Sequence, residues 1–172
     1  MFNNQTPNND ILTAKEYIYD KCSFQFTGYL NEAESKEYGA CSFKLNESFI
    51  TSRNAKITPK KIGQFVTLWQ RVKGGPIQPF KSTNQTDFFI INARNDNQFG
   101  QFVFPKSVLI KEGILSGTSK KGKLAMRVYP PWDKAINKQA VKTQKWQLEF
   151  FLTIDPDKLT HLSRAKTLYS KI

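Results

Sequence analysis

A chain of 172 residues with 39% hydrophobic and 13% aromatic side chains is sized for one packed domain and excludes a disordered polypeptide. Its 26 Lys/Arg against 14 Asp/Glu leave a formal charge of +12, which favours an anionic partner such as nucleic acid, an acidic protein or an anionic membrane. No apolar run reaches the roughly 18 residues of a membrane helix, and Met1–Asp10 has no signal-peptide core, so a cytoplasmic protein with no membrane partner is expected.

Residues 1–172 are expected to form a single domain, with 1–9 as a loose tail. Asp10 reads as the cap of a helix running to about Ser23. Tyr38 to Leu45 and Ser48 to Ile57 read as two strands joined at Asn46-Glu47, a hairpin. Thr58-Pro59 then reads as a helix start, with threonine as cap and proline at the first helical position. That helix is expected to run to Arg71, before Gly74-Gly75-Pro76. Phe88 to Ala93 is nearly continuous in apolar residues and predicts a buried strand. Gln101 to Phe104 predicts another. Pro105 opens a short helix over Lys106 to Glu112, and Lys123 to Tyr129 alternates like a strand. Asn137 to Phe151 reads as a helix, and Asp155-Pro156 opens a last one to about Ser170. Helices interleaved with strands in this order predict an α/β or α+β fold, a central sheet flanked by helices.

The charge is unevenly placed. Through Ser52, 4 lysines face 7 acids; from Arg53 onward, 22 Lys/Arg face 7 acids. In the expected helix after Pro59, Ile62, Phe65, Val66 and Trp69 fall on one stripe and Lys60, Gln64, Thr67 and Arg71 on the opposite one. The second stripe, with Lys61 in the first turn and Arg53 and Lys56 on the preceding strand, suits phosphate and sugar oxygens. In the strand near Arg127, Leu124, Met126 and Val128 share one face. Lys123, Arg127 and Tyr129 share the other, two cations beside a ring that can stack on a base. Trp132, between Pro131 and Asp133, is the candidate exposed aromatic, whereas Trp69 and Trp146 are expected in the core. A further lysine stripe, Lys134, Lys138, Lys142 and Lys145, depends on where its helix begins.

Catalytic constellations are sparse. There is no phosphate-cradling glycine loop, and His161 stands without an evident nucleophile partner. Cys22 and Cys41 are expected as free thiols, and no metal or cofactor is expected. Glu37 and Asp87, each just before an expected strand, are the only suggestively placed acids.

Three groups of residues resemble the MepB family: Glu37-Tyr38-Gly39; Arg53 to Arg71, including Thr58-Pro59-Lys60-Lys61-Ile62-Gly63-Gln64-Phe65-Val66; and Gly100 to Lys106 with Arg127-Val128-Tyr129-Pro130-Pro131 and Gln144-x-Trp146. The resemblance spans roughly residues 10–155. It implies a PD-(D/E)XK nuclease-like fold that has lost its catalytic residues, binds DNA and RNA with single strands favoured over duplex, and accompanies a multidrug efflux transporter and its regulator. In the nuclease pattern an Asp opens one strand and the next carries Glu/Asp-x-Lys. Asp87 fits the first place, but Gln101-Phe102-Val103 offers an amide and a valine in the second, with Lys106 as a spatial substitute. Glu37, Asp87, Gln101 and Lys106 are therefore vestigial candidates, and an inactive enzyme is expected. The alternatives are a residual magnesium-dependent nuclease and a protein-interaction module with a basic face. No small-molecule ligand is expected.

Overall fold

The computed structural model describes residues 5–158 and 161–170. A helix α1 (Asn9–Ala14) runs on into a π-helical turn, Lys15–Tyr19. Its cap is Asn8 rather than Asp10: the Asn8 side chain accepts from the Ile11 amide at 3.1 Å, and Asp10 instead accepts from Arg94 at 2.7 Å. The chain then forms β1 (Phe26–Asn31), a short 3-10 turn (Lys36–Tyr38), β2 (Cys41–Leu45) and β3 (Ser48–Asn54). Four short strands follow: β4 (Lys56–Thr58), β5 (Lys61–Thr67), β6 (Trp69–Arg71) and β7 (Ile77–Pro79). The order continues through β8 (Phe88–Arg94), β9 (Phe99–Pro105), α2 (Lys106–Lys111) and β10 (Ala125–Val128). It ends with α3 (Lys138–Leu148), β11 (Phe151–Thr153) and α4 (His161–Tyr169). Strands β1 and β11 were not foreseen from sequence. The expected last helix from Asp155 begins later, and residues 159–160 of that span lie outside the described residues. So do residues 1–4 of the expected tail. In the rest of the expected tail, Gln5 accepts from the Asn31 amide at 2.6 Å and the Asn8 amide donates to the Tyr29 hydroxyl at 3.2 Å, so both are docked on β1 rather than loose.

The main sheet has six strands in the order β1-β2-β3-β8-β9-β11. Only β3 and β8 run parallel, so the central sheet is mixed, as expected; helices cover one face, and strands β5 and β10 with α2 cover the other. Strand β8 explains its own sequence: every residue from Phe88 to Ala93 is at most 1% exposed, because both faces of the sheet are covered. On one face Phe88 and Ile90 join Phe43, Ile50 and Val103 against Ile11, Ile18, Ala165 and Leu168 of the helices α1 and α4 and the π turn. On the other, Phe89, Ile91, Phe102 and Phe104 pack against Val66, Leu68, Met126, Val128 and Leu109. Each such fully buried side chain contributes about 1.5–3 kcal/mol of apolar transfer.

A parallel pair such as β3 and β8 cannot be joined by a tight turn; it needs a crossover. Here the crossover is built from strands. β4 and β5 form a hairpin, and β10 adds to β5 to give a second sheet, ordered β10-β5-β4, over the second core. The expected helix from Thr58 to Arg71 is therefore corrected to a hairpin followed by β6. Thr58 pairs with Lys61 across Pro59-Lys60. Proline suits the second position of a turn as well as the first turn of a helix, so the signal at Pro59 was shared by both readings. From Gln64 the burial alternates as in a strand: Gln64, Val66 and the following Leu68 are each at most 1% exposed and Phe65 and Thr67 are half-buried, whereas Ile62, where the β4–β5 register shifts, is 41% exposed. The residues are strand formers, Ile, Phe, Val and Thr, and Gly63 has φ of +82°, outside any right-handed helix.

A polar seam crosses the first core. The Asn92 amide donates to Ser52 Oγ at 3.2 Å and to Asn54 Oδ1 at 2.8 Å, and Gln101 donates to Asn92 Oδ1 at 2.8 Å. The Tyr19 hydroxyl closes the chain by donating to Gln101 Oε1 at 3.1 Å. These buried amides are thus satisfied by one another, which is the condition for a polar group to sit in a core without a large penalty.

Candidate nucleic-acid interface

The outward face of the second sheet carries the chemistry. Register places Lys56 opposite Phe65 and Phe65 opposite Arg127, so the three stand in one row across β4, β5 and β10. Lys61, beyond the register shift at Gly63, lines the same cleft as Phe65 and Arg127. The Arg127 guanidinium reaches back over the hairpin, donating to the carbonyls of Gly63 at 3.0 Å and Ile62 at 3.4 Å and to Thr58 Oγ1 at 2.8 Å. Three hydrogen bonds leave part of its five-donor fork uncommitted. The Tyr129 ring lies over Gly63: a Cβ there would sit 2.7 Å from two ring carbons, so only glycine allows the approach.

The opposite wall is α3. Asn137 caps it, accepting from the Ala140 amide at 2.8 Å. Gln147, fully buried, completes the free edge of β10 as a strand would, donating to the Arg127 carbonyl at 2.9 Å and accepting from the Tyr129 amide at 2.9 Å. One helical turn earlier, Gln144 donates to the carbonyls of Pro130 at 3.0 Å and Asp133 at 2.6 Å. Two glutamines at i and i+3 thus fix the helix to the sheet edge and to the Pro130-Pro131 loop.

Between the walls is a cleft of about 730 Å3. Lys61, Lys123, Arg127 and Lys142 line it, together with Phe65, Tyr129, Trp146, the first turn of α3 and a single acid, Glu112. Four positive charges against one negative leave a local excess of +3. None of the four cations forms an ion pair among the described residues. The six ion pairs among the described residues use Asp10, Asp20, Glu32, Glu34, Glu47 and Asp155, all away from this cleft. The start of α3 adds the partial positive charge of its free amides.

Of the residues expected to bind, Lys61, Lys123, Arg127 and Tyr129 therefore come together. Lys56 sits beside the cleft, its ammonium 4.4 Å from the centre of the Tyr38 ring, and Lys60 is exposed in the hairpin turn. The others go elsewhere. Arg53 is 1% exposed and paired with Glu32 at 2.6 Å, because its position on β3 alternates into the second core. Gln64 turns inward and donates to the Arg94 carbonyl at 3.1 Å. Arg71 lies in β6, bound to Glu34 at 2.8 Å and to the Gly75 carbonyl at 2.8 Å, on a separate cleft. Trp132 is half-buried and packs edge-on to Phe151, so it is no open stacking platform. Lys142 was part of a lysine stripe in sequence but only the placement of α3 against β10 selects it. Trp146, expected in the core, packs against Phe104 and also lines the cleft. Glu112 and Phe65 carried no site signal.

Of the vestigial nuclease candidates, Asp87 and Lys106 are neighbours, with side chains bonded to other groups, and Gln101 and Glu37 stand apart from them. Asp87 accepts from the Phe49 amide at 2.8 Å, and its carbonyl accepts from the Lys106 amide at 2.9 Å. The Lys106 ammonium is held by the Asn84 carbonyl at 2.8 Å. Gln101 pairs with Asn92, four residues along β8 from Phe88, and so lies about 13 Å from that end of the hairpin. Glu37 stands on the exposed 3-10 turn. Among the described residues no three His, Cys, Asp or Glu side chains are grouped to share a metal ion.

A search of curated proteins found no match. Among solved structures, the chain is similar to one titled as the crystal structure of MepB, with 34% identity and a TM-score of 0.74, over 86% of this chain and 98% of that one. A weaker likeness, 14% identity and a TM-score of 0.44 over 80% and 85% of the two chains, is to a bacterial homing endonuclease, I-Ssp6803I. No helix among the described residues is long and apolar enough to cross a membrane. The model of the MepB-like family matches residues 32–153, well over half the sequence, and the chain belongs to that family.

Proposed function

We propose that this protein binds nucleic acid through the cleft between β10 and α3, taking single strands in preference to duplex and with little overall sequence preference. The observation that carries the reading is the convergence of Lys61, Lys123, Arg127 and Lys142 on one concavity with no paired acid. Uncompensated cations cost self-repulsion, which an anionic ligand relieves. Phosphate contacts of this kind position a strand without reading it. The aromatic side chains Phe65, Tyr129 and Trp146 in the same cleft favour unpaired bases, whose faces are open to stacking. A duplex hides those faces.

The protein binds without cutting. The carboxylates and lysine that hydrolysis would need are spent on strand-end hydrogen bonds at Asp87 and Lys106. We place this activity in the cytoplasm, in the company of a multidrug efflux system, on the strength of the family likeness.

Fluorescence anisotropy with a labelled single-stranded oligonucleotide tests the reading. Lys61→Ala combined with Lys123→Ala weakens binding about tenfold, at roughly 0.5–1 kcal/mol per lost charge contact. Both side chains are exposed, so the fold tolerates the change. Unchanged affinity in the double variant sinks the proposal. Incubation of the same oligonucleotide with magnesium leaves it intact; cleavage abolished by Asp87→Asn would overturn the non-enzymatic part.

A further inference from the structure

Among the described residues, Glu112 is the one acid lining the cleft. It follows α2 as its C-cap, where its backbone amide bonds to the Val108 carbonyl, and its side chain is half-buried. It pairs with no cation among the described residues, although four lie around the same concavity. In a groove that only held phosphate, a carboxylate would be a liability, repelling the ligand. An ionised carboxylate offers acceptors and no donor, so what it can hold is an N–H group.

Nucleic acid presents such groups on its bases. Cytosine, adenine and guanine carry an exocyclic amino group at the base edge; thymine and uracil offer a ring N3–H flanked by two carbonyl oxygens, which repel a carboxylate brought up to it. The cleft volume of about 730 Å3 is that of a small-ligand pocket: it takes an unstacked base and no duplex, while the phosphates of the same strand run past the cations that line it. Phe65 and Tyr129 supply apolar ring surface on the sheet wall beside Lys61, Lys123 and Arg127, and Lys142 faces them from α3. We infer that the cleft receives a single unstacked base and that Glu112 selects bases with an exocyclic amino group over thymine and uracil. This rests on the nucleic-acid reading above and adds to it a composition preference that phosphate contacts cannot give.

The test compares oligo-dC with oligo-dT, each titrated against the wild-type protein, Glu112→Gln and Glu112→Ala at one fixed salt concentration. The wild type prefers oligo-dC. Glu112→Ala lowers the dC-to-dT affinity ratio by about tenfold, the loss of one charge-assisted hydrogen bond at the low end of its range. Glu112→Gln, which keeps a weaker acceptor, falls between. If both affinities rise together in the two variants and the ratio stays fixed, Glu112 is only a repelling charge and the inference is wrong. Binding of neither oligonucleotide by the wild type defeats the nucleic-acid reading itself, and this inference with it.

Discussion

Salt dependence is the sharpest test of the proposed phosphate contacts in the cleft. Each phosphate neutralised on a single strand contributes about −0.7 to the slope of log K against log salt concentration. Lys61, Lys123, Arg127 and Lys142 together predict a slope of about −2.8. Raising the salt from about 50 to about 200 mM then weakens binding roughly 50-fold. Lys142→Ala is the cleanest perturbation, because the side chain is exposed on α3 and, unlike Arg127, does not hold the hairpin together. It reduces the slope to about −2.1 and the loss over the same range to roughly 18-fold. Lys15→Ala is the control: Lys15 is bound to Asp20 at 2.8 Å, in the π turn that packs on the opposite face of the main sheet, and its removal leaves the slope unchanged. Anisotropy titrations at four or more salt concentrations supply both slopes. A Lys142→Ala slope equal to that of the wild type, or an equal reduction by Lys15→Ala, refutes a localised phosphate site.

Two further predictions concern the scaffold. Gly63→Ala places a side chain at φ +82° and its Cβ 2.7 Å from the Tyr129 ring, which must move. The backbone strain alone costs about 1–2 kcal/mol, so thermal unfolding drops by roughly 4–8 °C for a total near 2 kcal/mol, and oligonucleotide binding weakens with it; a variant as stable and as tight as the parent contradicts the contact. Alkaline pH is the second lever. Burial pushes the Cys41 thiol from 9.0 up to about 12, and the Tyr19 and Tyr29 hydroxyls from 10.0 up to about 12. Below about pH 9 all three are protonated in both folded and unfolded chains. Above it the unfolded chain ionises while the folded one holds its protons, so stability falls from about pH 9 towards 12. Urea midpoints that hold steady or rise between pH 8 and pH 10.5 contradict this.

The elements legible in the sequence were those whose local signal and tertiary setting agree. Phe88 to Ala93 is apolar on both alternations because both faces of β8 are covered, and Asn137 caps α3 where a capping residue precedes a helical run. The β4–β5 hairpin was misread because two periods fit the same residues. Ile62, Phe65, Val66 and Trp69 make a helical stripe, but Ile62 overhangs the core and Gln64 is buried in its place. A buried glutamine is legible only when its partner is known, and that partner, the Arg94 carbonyl, is thirty residues away. β11 escaped notice for a similar reason: Phe151–Thr153 is three residues long and owes its strand character to pairing with Phe102, Gln101 and Gly100 of β9.

The correction of that hairpin changes which cations can act together. On a helix, Lys60, Gln64 and Arg71 would share a stripe and Lys61 would stand apart from Arg127. On a strand, Lys61 lines the same cleft as Phe65, Phe65 stands opposite Arg127, and Arg71 is carried off into β6 to meet Glu34. Arg53, expected from sequence to hold phosphate, is drawn into the core with Glu32, whereas Lys142, one lysine in a plain surface series, is placed on the cleft by the two glutamines that dock α3. A basic surface was thus visible from charge alone. Its concentration into one cleft depends on strand register and on side-chain amides satisfying an open sheet edge, and Gln147→Leu, which leaves the Arg127 carbonyl and the Tyr129 amide without their partner, strikes at that concentration without removing a single charge.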